Sequence, residues 1–298
     1  MLTYSRRSLA AVLSAGAVLS LQPLVRMAAI EGSGQSHHGA LKTASAKAPD
    51  IPFVEYEFRV EQDLLQLANQ SRQRVGAPTL VLDTGLSEAA RIHAQAMLEA
   101  NQLSHRFSGE PTLVERLAST SSLQLDQAGE NVALDYSAQG GHEHLMLSPP
   151  HRANLLNPAY NVVGLGVVRS GDRLYIVQDF AHALPVYSAD EMKDRVAAAV
   201  NQMRLRAGRP HLARHDLQGV DQAACSMAQA DKFGTPPVRQ LARRFTVLTY
   251  TSLNPDTLPV QASHAIDSPN LHRFSIGACY ARTDTYPTGV HWIVLSLE

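Results

Sequence analysis

The chain has 298 residues, 45% hydrophobic and 18% charged, a composition suited to one large globular domain or two smaller ones. A formal net charge of −1, without a basic block or acidic tail, gives no electrostatic footprint for nucleic acid or an anionic membrane. Cys225 and Cys279 are the only cysteines, so no dense disulfide framework holds this fold. They form either one bridge or two buried thiols, and stability comes mainly from the core.

At the N-terminus Arg6-Arg7 precede an uncharged apolar run from Leu9 to Val25, which predicts an export signal over residues 1–29. Ser5-Arg6-Arg7-Ser8-Leu9 resembles a twin-arginine signal, with Leu9 where that signal prefers Phe. The product is expected to be secreted or periplasmic, with no stable transmembrane span beyond the signal segment. Residues 30–55, rich in Gly, Ser, Ala and Lys, predict a flexible linker.

Val60, Leu64, Leu67, Ala68 and Ser71 recur at helical spacing until Gly76-Ala77-Pro78 stops them. A second helix follows Asp83-Thr84-Gly85, with Leu86, Ala90, His93, Met97 and Ala100 on one face; His93 there reads as a satisfied core residue. Gly140-Gly141 is expected to break the chain before a short helix from His142 to Leu147, which Pro149-Pro150 ends. Its His142, Glu143 and His144 read as a solvated face, with the alternative that His142 joins the cleft if the helix turns inward. Residues 162–169 and 174–180, joined by Ser170-Gly171-Asp172-Arg173, predict a hairpin. Helices before and between strands predict an α/β fold, a three-layer α/β/α sandwich over residues 56–186.

The pattern then restarts. Asn69-x-x-Arg72-x-x-x-Gly76-x-Pro78-x-Leu80 is echoed by Asn201-x-x-Arg204-x-x-x-Gly208-x-Pro210-x-Leu212, and Ala89-Ala90 with Ala94-Gln95-Ala96 by Ala223-Ala224 with Ala228-Gln229-Ala230. Residues 190–298 are therefore expected to be a shorter, degenerate tandem copy, closed by a hairpin of Ile276–Cys279 and His291–Leu295.

Ser104-His105, Gly129-Glu130-Asn131, Ser148-Pro149-Pro150-His151-Arg152-Ala153-Asn154, Val163-Gly164-Leu165-Gly166 and Val177-Gln178-Asp179-Phe180 follow one another in order. With Asn69, Arg72, Gly76 and His93-Ala94, this series resembles the CAP superfamily of cysteine-rich secretory, antigen 5 and pathogenesis-related proteins, in its cysteine-poor bacterial branch. The resemblance covers about 120 residues and implies the same three-layer sandwich. It also implies a cleft of two histidines and two acidic residues that binds a divalent metal in some members. His105, Glu130 and His151 match three of those positions. The fourth falls near Ser148, which carries no charge, and Glu143 is the neighbouring substitute.

Two imidazoles and a carboxylate suit Zn²⁺ or another divalent metal, leaving an open position for water. His105, Glu130 and His151 are thus the expected metal ligands and the candidate catalytic residues. The expected function is an exported protein that binds a divalent metal or a small extracellular ligand, such as a peptide, cell-wall fragment or lipid. Binding is expected rather than turnover. The alternatives are a metal-assisted hydrolase of extracellular peptides or lipids, and an interaction protein with a vestigial cleft. No Gly-x-Ser-x-Gly elbow, Gly-rich phosphate loop or complete His-Glu-x-x-His appears; the last fails at Met146.

Overall fold

The computed structural model describes residues 56–298 and the backbone of a two-residue strand, β1 (Tyr4–Ser5). Apart from β1, the expected export signal and linker lie outside the described residues. No helix among the described residues is long and apolar enough to cross a membrane.

Two helical stripes and one alternating strand pair build the first lobe. Helix α1 (Phe58–Arg74) buries Leu64 and Ala68, and strand β2 (Val81–Leu82) leads into α2 (Thr84–Ala100), whose N-cap Asp83 accepts from the Leu86 amide. Next come α3 (Leu113–Thr120), β3 (Leu125–Asp135), α4 (Ala138–Leu147), α5 (Pro149–Leu156) and the hairpin β4 (Val162–Ser170) and β5 (Arg173–Ala183). The sheet order is β1-β3-β5-β4-β2, with β2 parallel to β4 and the other pairs antiparallel. Val163, Leu165 and Val167 pack with α1, α4 and α5 on one face, while Val168, Tyr175 and Val177 pack with α2 on the other. Period-two alternation thus produces the expected sandwich.

Gly164 and Gly166 bring β4 against α2. A Cβ on either would lie 2.2 Å from the α2 backbone, at Leu86 and Ala90 respectively, so only glycine permits this approach. At the other end of the lobe Arg72, fully buried, donates to the carbonyls of Pro78, Leu155, Asn157 and Tyr160. Asn69 and Leu80 exchange two hydrogen bonds beside it.

Two local expectations need correction. Gly140-Gly141 does not break the chain but lies inside α4, where Cβ atoms would strike Asp135 and Ile176. Pro149-Pro150 does not merely end a helix; it opens α5, because the first helical positions have no intrahelical partner for an N–H that proline lacks.

The second lobe runs α6 (Ala189–Arg206), β6 (Ala213–Arg214), α7 (Val220–Ala230), α8 (Pro236–Ala242), β7 (Thr246–Ser252), α9 (Ala262–Ile266), β8 (Arg273–Ala281) and β9 (Val290–Leu297). Its sheet order is β6-β8-β9-β7, again with the short strand parallel to its neighbour and the rest antiparallel. Without β1, this is the order of the first sheet. Arg204 donates to Pro210, Ile266 and Ser268, and Asn201 exchanges two bonds with Leu212, as Arg72 and Asn69 do.

Gly277 meets Val220 as Gly164 meets Leu86. Two residues further along the strand, where Gly166 lies under α2, Cys279 is bridged to Cys225 on α7. Glycine permits the helix-strand approach in the first lobe at the point where a disulfide staples it in the second.

Candidate functional site

Glu130 is the hub of the polar cluster. It lies mid-strand on β3, and its side chain is only 4% exposed. Oε1 meets His105 Nδ1 at 2.8 Å, and Oε2 accepts from Arg116 Nη2. Arg116, buried on α3, also donates from Nη1 to the His105 carbonyl at 3.2 Å and lies 3.6 Å from Glu110. A buried carboxylate is tolerable only when paired and hydrogen-bonded, and this guanidinium supplies the pairing.

His105 precedes α3 and keeps 31% of its side chain exposed. Nδ1 donates to Glu130, so Nε2 is the ring nitrogen outside this pair. His151 sits in the first turn of α5, where Nδ1 lies 2.9 Å from Ser148 Oγ. Burial lowers its pKa below the ordinary histidine value, and the neighbouring charge of His105 lowers it further.

Gly129-Glu130-Asn131 is held from the other side by α5. Asn154 donates to the Glu130 carbonyl and to Asn131 Oδ1, while Asn131 donates to the His151 carbonyl and to Gln178. A Cβ at Gly129 would lie 2.5 Å from the Tyr160 hydroxyl. The family-like motifs thus lock the β3 centre to the start of α5.

Asp179, whose role the sequence did not disclose, is fully buried on β5 as the direct register partner of Glu130. Among the described residues no donor reaches either of its carboxylate oxygens. Burial, then the Glu130 charge, push its pKa well above the usual carboxylate range, with Arg116 opposing.

Of the sequence-derived residues, His105 and Glu130 meet directly, while His151 is tied to the same strand through its carbonyl, which accepts from Asn131. Glu143 is not part of this group; it is exposed on α4 and accepts from Gln139 one turn earlier. His142 is not solvated: it is buried, 2.8 Å from Ser71 Oγ on α1, and burial lowers its pKa. His144 is exposed and pairs with Asp135. His93 is a satisfied core residue, held between Glu110 at 2.6 Å and the Ser104 carbonyl at 2.8 Å. Among the described residues, no three His, Cys, Asp or Glu side chains are gathered to hold a metal ion.

Arg116 also escaped the sequence reading. Thr112-x-x-Glu115 is a capping box that marks the start of α3 and would have placed Arg116 on a short helix beside His105.

The second lobe lacks this chemistry. By register, Gly164, Asp179 and Glu130 occupy one rung of the first sheet, and Gly277, Val294 and Thr249 the equivalent rung of the second. The buried carboxyl pair is there replaced by valine and threonine. Trp292, Val294 and Met227 fill the neighbourhood with an apolar cluster.

Residues 65–180 match the model of the cysteine-rich secretory protein family, CAP. Over 121 residues the chain is 35% identical to the "Uncharacterized membrane protein YlbC" of Bacillus subtilis, covering 40% of this chain and 34% of that protein. Over 115 residues it is 32% identical to the "Uncharacterized protein YkwD" of the same organism, covering 37% and 43%. It thus spans less than half of either curated relative. Among solved structures, it is similar to an extracellular protein containing an SCP domain from Bacillus anthracis, at 30% identity and a TM-score of 0.38, covering 42% of this chain and 41% of that one. The stretch that matches the CAP family model, residues 65–180, includes His105, Glu130 and His151.

Proposed function

We propose that the first lobe binds a small extracellular ligand between His105 and His151, and that the protein acts by binding rather than turnover. The observation that carries this reading is the anchoring of His105. Glu130 fixes Nδ1 and is itself fixed by Arg116, so the partly exposed ring is held in one orientation. Preorganised polar groups of this kind confer ligand specificity at little ordering cost.

The two-His, one-Glu zinc set does not fit the arrangement well. Both Glu130 oxygens already meet donors, one of them a guanidinium that would face any cation bound there. Glu130 is an anchor for His105, which leaves two imidazole nitrogens as the available donors.

Export is part of the proposal and rests on Arg6-Arg7 and the apolar run that follows. The ligand classes remain those implied by the family: peptide, cell-wall fragment or lipid. We read residues 190–298 as a degenerate second copy, supported by the repeated Asn/Arg latch and sheet order, in which apolar packing has replaced the polar cluster.

Calorimetric titration of the purified protein with a muropeptide, phosphatidylglycerol vesicles and ZnCl₂ tests the reading. At least one probe should bind the wild type and lose tenfold or more in affinity in both His105→Ala and His151→Ala. Binding that survives both substitutions, or no binding of any probe, would overturn it.

A further inference from the structure

We infer that the second lobe positions the cleft of the first through Arg282, a role that rests on the cleft being the functional site. Arg282 begins the connection from β8 to β9. Its Nη1 donates to the Ala118 carbonyl at 2.8 Å, and its Nη2 to the carbonyls of Ser121 at 2.6 Å and Leu123 at 3.2 Å. Thr288, at the far end of the connection, donates from Oγ1 to the Leu125 carbonyl at 3.0 Å. The four acceptors run from the last turn of α3 to the first residue of β3.

These acceptors need such a partner. The last carbonyls of a helix have no intrahelical donor and carry its negative dipole end, and a guanidinium fork supplies both charge and several N–H groups. α3 has only eight residues, too few to hold a helix by propensity alone, so its ends set its position. The Thr112–Glu115 capping box fixes the first end and Arg282 the second. Arg116 leaves this same helix to hold Glu130 and the His105 carbonyl, two residues before the carbonyl that Arg282 grips.

The gripping segment is itself braced within the second lobe. Thr283 donates to Asp231 at 2.7 Å, and Tyr280 donates to the Thr288 carbonyl at 3.0 Å. Arg282 is thus a positioning residue that works through Arg116 and touches no ligand. The second copy, having lost its own polar cluster, serves as a buttress for the intact one.

Hydrogen exchange of the full chain, read together with the His105 ring ¹⁵N resonances, tests this assignment. Arg282→Ala should raise exchange at the amides of residues 117–125 about tenfold and shift the His105 ring signals. Arg282→Lys should show an intermediate effect, and Arg195→Ala, which removes a second-lobe surface pair with Asp256, should show neither. Wild-type exchange and an unmoved His105 ring in both Arg282 variants would overturn the inference. Should Arg282→Ala fail to fold, Arg282→Lys carries the same two readouts. They need no ligand, so absence of probe binding by the wild type would count against the binding reading while leaving this test decisive.

Discussion

Glu130 and Asp179 stand opposite each other across β3 and β5, the first bound to His105 and Arg116, the second buried without a donor and pushed by that burial well above the usual carboxylate range. Because the folded pKa of Asp179 lies above its unfolded value, the native state keeps a proton that the unfolded chain releases. Its contribution to stability is full below about pH 4 and is lost as pH rises through the folded pKa. Asp179→Asn removes that dependence, so the variant should gain on the wild type progressively from pH 4 to pH 8. Urea unfolding across this range checks the sign; a difference that shrinks with rising pH would contradict it.

Glu130→Gln and His105→Ala should separate anchor from ligand contact. Breaking the buried Glu130–Arg116 pair should cost about 3 kcal/mol of stability, because a buried charge is left without its partner. His105→Ala, on a partly exposed ring, should cost about 1 kcal/mol or less yet abolish probe binding. Denaturant unfolding measures both; equal destabilisation would contradict the division of roles.

His291 gives the second lobe an acid limit. Buried against Tyr280, its pKa is lowered to about 4 from 6.5 by burial. The unfolded chain therefore takes up a proton first, and stability present above pH 6.5 is lost as pH falls towards 4, by on the order of 3 kcal/mol. Thermal unfolding of wild type and His291→Gln between pH 7 and 4 should show a shallower acid slope in the variant. Parallel slopes would assign the loss to other groups.

The helix-strand contacts of the two lobes should fail differently. Replacing Cys225 and Cys279 together by alanine removes a cross-link of 54-residue separation and should cost about 4 kcal/mol through chain entropy. Gly166→Ala forces a methyl into the α2 backbone and should cost about 3 kcal/mol or more. Reduction of the wild type should mimic the cysteine variant, with lost protection confined mainly to α7 and β8. Uniform loss across both lobes would show that they unfold as one unit.

Much of the scaffold was legible because its signals are local. Helical spacing placed α1 and α2, alternation with a Gly-Asp turn placed the β4–β5 hairpin, and the paired Asn and Arg positions recur as two similar sets of side-chain-to-carbonyl hydrogen bonds. Pro149-Pro150 misled because proline both ends one helix and begins the next, and sequence does not rank these uses. Asp179 was hidden for a different reason. Its pairing with Glu130 depends on the register of strands some fifty residues apart, which no local pattern sets. The Arg282 grip joins residues 161 positions apart at Ser121 and is equally invisible from either segment alone.

The central claim is that His105 and His151 face one ligand together. Its most direct test is a ¹H–¹⁵N titration of the histidine rings of the full chain with the muropeptide, the phosphatidylglycerol vesicles and ZnCl₂ in turn. The account predicts that one probe moves both ring signals along a single saturation curve, with His105 retaining its proton on Nδ1 towards Glu130. Movement of only one ring, or of neither with all three probes, would contradict it.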